Sequence, residues 1–266
     1  MKLLKLLPLL LILSCVDLFI QETQYNSLFF QGGSWIEIER IDSMKLESNA
    51  NDFTLQFWVS GGEVDTNEAP ALFSLIDSSD EITLALLRDP NQQNTITTVI
   101  NSQSSKHEMS ELDWSDSENF YLISLLFSDT SGVKIYLDNS IFLDVDSLIN
   151  LEGEKLIISA MANEKRTILE NFWYGYIDEV RLWNTLLADS TIKFQSKHPD
   201  KIGEYYRYTD ENGKEIDTYL DSLIGIWRLN FEEPHSVIED DSAYDNDGII
   251  YTLTGYSVEL SEKGVQ

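Results

Sequence analysis

Asp240, Asp241, Asp245, Asn246 and Asp247 lie within eight residues of one another, with Ser242 among them and Gly248 closing the run. Calcium takes six to eight oxygens, often from carboxylates, amides and carbonyls on one loop, and this stretch could supply them. It lacks the spacing and terminal Glu of an EF-hand. The competing reading is a polar turn on an acidic chain. The three histidines, His107, His198 and His235, show no zinc-ligand spacing. No Ser-His-Asp order and no glycine-rich phosphate loop stands out. The tryptophans Trp35, Trp58, Trp114, Trp173, Trp183 and Trp227 could stack on sugar rings where exposed. Most sit in strand-like patterns, where core packing is the simpler role. Trp114, in a Ser- and Asp-rich segment, is the one expected at the surface and is the ligand-stacking candidate.

Charge narrows the partners. Asp plus Glu number 46 against 18 Lys plus Arg, for a net charge of −28. A polyanion of this kind disfavours nucleic acid and anionic lipid. The N-terminus points elsewhere. Lys2 and Lys5 precede an apolar run over residues 6–13, broken only by Pro8, and Ser14 comes before Cys15. The run is too short for a bilayer of ~20 residues, so it reads as a signal h-region. Ile12-Leu13-Ser14-Cys15 resembles a lipobox, with Leu13 in place of the usual Ala or Ser. Residues 1–14 are then a lipoprotein signal peptide, Cys15 the lipid attachment residue, and 16–25 a short tether. Cys15 is the only cysteine, so the mature fold has no thiol to pair and must draw its stability from a large core.

The elements that would position these groups are strands. In residues 53–59, Phe53, Leu55, Phe57 and Val59 share one face. Residues 81–87 and 94–100 are β-rich around an Asp89-Pro90-Asn91 turn. Residues 120–127 and 133–137 are joined by a Ser-Asp-Thr-Ser-Gly turn, and Asp138-Asn139 starts a tight hairpin into 141–143. Strands are also expected over 156–159, 173–183 and 224–231. The 173–183 strand breaks parity, because Ile177 and Trp183 fall opposite Val180 and Leu182; a bulge, or burial of both faces, would explain it. One helix is expected over 189–196, and an inserted hairpin over about 205–219. Many short strands with polar turns predict an all-β, two-sheet antiparallel sandwich or jelly roll in a single domain over 26–260.

The order of motifs carries a resemblance. Gly175-Tyr-Ile-Asp-Glu-Val-Arg-Leu-Trp-Asn184 is similar to the G-x-I-D-E-V-R-I-W-N strand of laminin-G-like jelly rolls, in the concanavalin A-like lectin/glucanase superfamily. Residues 28–32, 53–59, 119–138 and 223–231 with 240–248 resemble its other motifs in sequence order. The resemblance implies the sandwich and no particular activity. It also implies a structural calcium on the 240–248 loop, although Ala243, Tyr244 and Asp245 replace the family's Gly-Asn-Gly, and Gln31 and Ser34 stand where Asp is common. Laminarinase-like relatives place three acids as E-x-D-x-x-E on one strand for a retaining mechanism. The nearest match is Glu111, Asp113 and Asp116, with Asp in the last place and in a loop-like context. Asp178, Glu179 and Arg181 read as a local ion-pair set.

The expectation from sequence is therefore a non-catalytic, exported lipoprotein anchored to a bacterial membrane, periplasmic or surface-exposed. Its module would bind a glycan or an envelope protein, with calcium as the one cofactor. A β-glucan hydrolase and a ligand-free structural envelope component are the alternatives.

Overall fold

Alternation of apolar side chains builds two antiparallel sheets, and their apolar faces have only each other to cover them. The computed structural model describes residues 27–39, 52–62, 69–77, 81–128, 130–145, 155–162, 169–199, 207–209, 213, 215–217, 222–229, 236–242 and 244–265. The signal segment, Cys15, the 16–25 tether, His235 and parts of the 205–219 segment lie outside them.

In chain order the strands begin with β1 (Ser27–Gln31), β2 (Ser34–Glu39), β3 (Phe53–Gly61), β4 (Ala71–Ile76), β5 (Ile82–Arg88), β6 (Thr95–Ile100) and β7 (Gln103–Glu108). They continue with β8 (Tyr121–Ser128), β9 (Gly132–Leu137), β10 (Ser140–Val145), β11 (Lys155–Ile158), β12 (Met161–Ala162), β13 (Leu169–Glu170) and β14 (Tyr174–Trp183). Helix α1 (Asp189–Gln195) follows, then β15 (Arg207–Thr209), β16 (Glu215–Asp217), β17 (Leu223–Arg228), β18 (Val237–Ile238), β19 (Gly248–Thr252) and β20 (Val258–Ser261).

The first sheet runs β10-β9-β8-β3-β14-β1-β20, with β17 sharing the β1 side of β14. The second runs β18-β19-β2-β11-β4-β5-β6-β7. Two short pairs, β12 with β13 and β15 with β16, stand apart. The expected sandwich is observed: Leu55, Phe57, Val59, Ile123, Leu125 and Phe127 of the first sheet are buried against Ile36, Ile38, Phe73, Leu75, Leu84 and Leu86 of the second. Phe57 and Phe73 stack across the interface with ring centroids 4.9 Å apart. Among the described residues no helix is long and apolar enough to cross a membrane.

The parity break in β14 has both suspected causes. Its register against β3 slips by one residue between Ile177 and Val180, which is a bulge at Asp178-Glu179. Beyond the bulge Trp183 faces away from the sandwich, into a second cluster with Leu126, Tyr136, Leu187, Ile192, Leu223 and Ile226 under α1. Polar groups there are matched rather than excluded. Trp183 Nε1 donates to Gln56 Oε1 at 2.9 Å, and Gln56 Nε2 donates to Gln195 Oε1 at 2.7 Å and to Ser124 Oγ at 3.0 Å. Tyr136 donates its hydroxyl to Asp189 in the first turn of α1 at 2.6 Å. The helix thus closes one outer face and leaves the other sheet's outer face to solvent and loops.

Candidate functional site

The acidic loop turns inward on itself. Asp240 is buried, and its Oδ1 accepts from the Ile226 N–H at 2.8 Å and the Ser242 N–H at 2.9 Å. Its Oδ2 accepts from Ser242 Oγ at 2.7 Å and the Asn246 N–H at 3.0 Å. Asp247 Oδ1 accepts from the Asp240 N–H at 2.9 Å, Asn246 Nδ2 donates to the Ile224 carbonyl at 2.8 Å, and Asp241 pairs with Arg228 at 3.0 Å. Asp245 holds a left-handed turn at φ 53° and is exposed. Four donors occupy the Asp240 carboxylate, so the lone pairs a cation would need are already engaged. Of the five residues expected to converge on calcium, Asp240 and Asp247 are turned to hydrogen bonds within the loop and onto β17, and Asp241 to Arg228. Among the described residues no three of His, Cys, Asp and Glu gather as a metal set. The loop acts instead as a clasp on β17, and Trp227 Nε1 completes it with a bond to the Asn246 carbonyl at 2.8 Å.

Trp114 also needs correction. It is fully buried, with Nε1 on the Thr95 carbonyl at 3.3 Å and its ring edge-on to Trp173 at 5.3 Å. A ring with no accessible face cannot stack on a sugar. Its polar sequence neighbours mislead because the loop folds back under β3, where Gly61 is so close to the Trp114 carbonyl that a Cβ would lie 1.9 Å from it.

The three acids of that loop do not form a pair of catalytic carboxyls. Asp113 Oδ1 accepts from the Ser115 N–H at 2.9 Å and Ser115 Oγ at 2.6 Å, and these bonds hold its pKa below the usual carboxylate range. A general acid needs the opposite shift. Asp116 caps Glu118 and Asn119, and Glu111 is exposed. None of the three is on a regular strand.

Asp178, Glu179 and Arg181 form the anticipated local set. Glu179 pairs with buried Arg181 and lies 3.4 Å from Arg228 Nε. Asp178 Oδ2 accepts the Val265 N–H at 2.7 Å, and burial pushes its pKa up to about 7.

What the fold does present is an aromatic rim at one end of the sandwich. Gly32 and Gly33, at φ 80° and 76°, turn the chain from β1 in the first sheet to β2 in the second. Gly32 N–H bonds the Trp173 carbonyl at 3.1 Å, and the Gly33 carbonyl accepts the Leu253 N–H at 2.8 Å. Three segments are thereby stitched together. The ring of Tyr256 lies over Gly33 so closely that a Cβ there would be 2.6 Å from its Cγ. Beside the turn, Trp35 of β2 stacks on its cross-strand partner Tyr251 of β19, 5.4 Å apart and 16° from parallel. The Phe172 ring lies 5.9 Å from that of Trp35. Trp35 Nε1 donates to Glu37 Oε1 at 2.9 Å, and Glu37 Oε2 pairs with Lys155 at 3.1 Å. Behind the rim, fully buried Arg88 donates to the carbonyls of Gly62 at 2.9 Å and Tyr174 at 3.3 Å, with its guanidinium 5.9 Å from the Trp173 ring. Burial pulls its pKa down to about 10.

Tyr251 is 39% exposed and Tyr256 52%, and Ile249, Leu253 and Val237 extend the open apolar surface. Tyrosine and tryptophan rings with one face packed and the other wet suit the C–H face of a pyranose, and their polar tips suit its hydroxyls. Trp35 is among the tryptophans that sequence marked as capable of stacking. Tyr251 and Tyr256 were missed. The available signal was Ile249, Tyr251 and Leu253 at alternate positions, apolar on a face given to water.

The sequence model described as the concanavalin A-like lectin/glucanases superfamily, of laminin G type, matches residues 30–193. The chain belongs to this superfamily. The matched stretch contains Trp35 and Phe172 but stops short of Tyr251 and Tyr256. Among solved structures, this concanavalin A-like chain is similar to a candidate carbohydrate binding protein of Bacteroides ovatus, at 12% identity and TM-score 0.56 over 90% of this chain. It spans 60% of that protein's length. It is similar to the heptameric SAP-like pentraxin of Limulus polyphemus, at 11% identity and TM-score 0.56, over 90% of this chain and 96% of the pentraxin. Part of a Trypanosoma rangeli sialidase, solved with sialic acid, matches at 17% identity and TM-score 0.51, over 67% of this chain and 28% of the sialidase. At these identities the likeness is one of fold. No curated protein matches the sequence.

Proposed function

We propose that this chain is a non-catalytic carbohydrate-binding module, held at a bacterial membrane through a lipid on Cys15. The carrying observation is the rim: Trp35, Tyr251 and Tyr256 gathered on a braced turn, with two tyrosine rings substantially open to water. The superfamily and the Bacteroides ovatus neighbour support a glycan as ligand. The lipobox-like Ile12-Leu13-Ser14-Cys15 supports the anchor. Binding in this reading is stacking on preformed aromatics, with little reorganisation of the backbone.

A glycan array probed with the wild type and with Tyr251→Ala tests the ligand class. Selective binding that the substitution weakens is expected; binding unchanged by it would place the ligand elsewhere. Labelling with a fatty-acid analogue, compared with Cys15→Ala, tests the anchor. Equal labelling of both chains would refute it.

A further inference from the structure

We infer that the rim takes neutral sugars, discriminates against acidic ones, and does so without a metal; this rests on the glycan-binding reading above. Recognition of a sugar carboxylate or sulfate needs a cation at the site, most effectively an arginine fork or a bound metal ion. The charged groups described around the rim are Glu37, Lys155 and Glu170, which lies two residues before Phe172. Lys155 is paired with Glu37. Arg88 is fully buried and turned onto main-chain carbonyls, so it offers nothing to a ligand. Among the described residues the local balance is negative, and the chain's net charge of −28 adds a repulsive field for any anion.

The same groups suit a neutral sugar. Trp35 Nε1 holds Glu37 Oε1 in place, leaving the carboxylate with further lone pairs. A sugar hydroxyl can donate to them, and the hydroxyls of Tyr251 and Tyr256 can donate or accept. Stacking needs no charge on the ligand, and no group of acids near the rim forms a metal set among the described residues.

The test uses the full chain purified in detergent. Its probes are matched glycan pairs that differ only in charge: sialylated and desialylated oligosaccharides, carboxymethylated and unmodified β-glucan, and sulfated and unsulfated galactan. Each is measured in calcium and in EDTA. We expect binding to a neutral member, unchanged by EDTA, at least about tenfold tighter than to its acidic counterpart at low salt, with the gap narrowing as salt is raised. Glu37→Gln should shrink that ratio severalfold by weakening rejection of the acidic member. A preference for the acidic member of a pair, or loss of binding in EDTA, would overturn the inference and leave glycan binding standing. Absence of binding to every pair would overturn both.

Discussion

Replacing Gly33 by alanine tests the way the rim is built. Gly32 and Gly33 share a left-handed backbone, at φ 80° and 76°. Alanine in that region costs about 1–2 kcal/mol at either position. The two sites differ in their surroundings. A Cβ on Gly32 would lie 3.9 Å from the Tyr174 ring, an ordinary contact, whereas one on Gly33 would be 2.6 Å from Tyr256 Cγ. Tyr256 would have to leave its seat. Its ring is 52% exposed, so roughly 100 Å² of packing is at stake, worth about 2 kcal/mol at ~25 cal/mol per Å². Gly33→Ala should therefore cost about 3–4 kcal/mol and Gly32→Ala about 1–2. In a chain of this size each kcal/mol moves Tm by about 2–4 °C, so calorimetry should separate the variants by ~4–8 °C. In a Tyr256→Ala background the gap should close. Equal Tm losses for Gly32→Ala and Gly33→Ala with Tyr256 intact would refute the seating of that ring and with it the shape of the rim.

Other outcomes follow from the same geometry. Trp114→Ala should cost about 3–5 kcal/mol by denaturant titration, because the ring is fully buried, while Tyr251→Ala should weaken glycan binding with a Tm change of only a few degrees. Asp178 supplies a pH dependence: its folded pKa of about 7 exceeds the ordinary 3.8. Between those values the folded carboxyl keeps a proton that the unfolded one has lost, so stability falls as pH rises from about 4 to about 7, by up to about 4 kcal/mol. Asp178→Asn should flatten that slope in urea titrations across this range, and an unchanged slope would count against the burial of Asp178. Asp240→Ala should lower Tm by several degrees because it strips the acceptor from the buried Ile226 N–H. Adding calcium or EDTA to the wild type should leave Tm unmoved; a calcium-dependent rise would show that the loop rearranges around the ion.

The sandwich was legible because strand period and burial agree. Phe53, Leu55, Phe57 and Val59 alternate and face one core, and the parity break in β14 announced its own bulge. The helix was legible from Ile192 and Gln195, both buried in the observed α1. Candidate sites were harder to read, since a site depends on which residues meet across the fold. The polar residues around Trp114 suggested exposure, yet the ring is buried through contacts with Thr95, Tyr121 and Trp173, none of them adjacent in sequence. The clustered aspartates suggested a cation, but the oxygens of Asp240 meet backbone N–H groups from β17 and from the loop itself. The rim was split between residues 33–35 and 251–256, and only the pairing of β19 with β2 unites them.

Strand β1 gives the molecule a polarity. Ser27, which the proposed 16–25 tether would lead into, and the Gly32-Gly33 turn lie at opposite ends of this strand, ~17 Å apart. A lipid on Cys15 would thus hold the chain by its foot, with Ser27 at most ~43 Å from the lipidated residue. Copies on one membrane would then offer their rims to the same polymer. Sites too weak to hold a glycan singly would retain it as an array, and the valency of the surface would set the affinity.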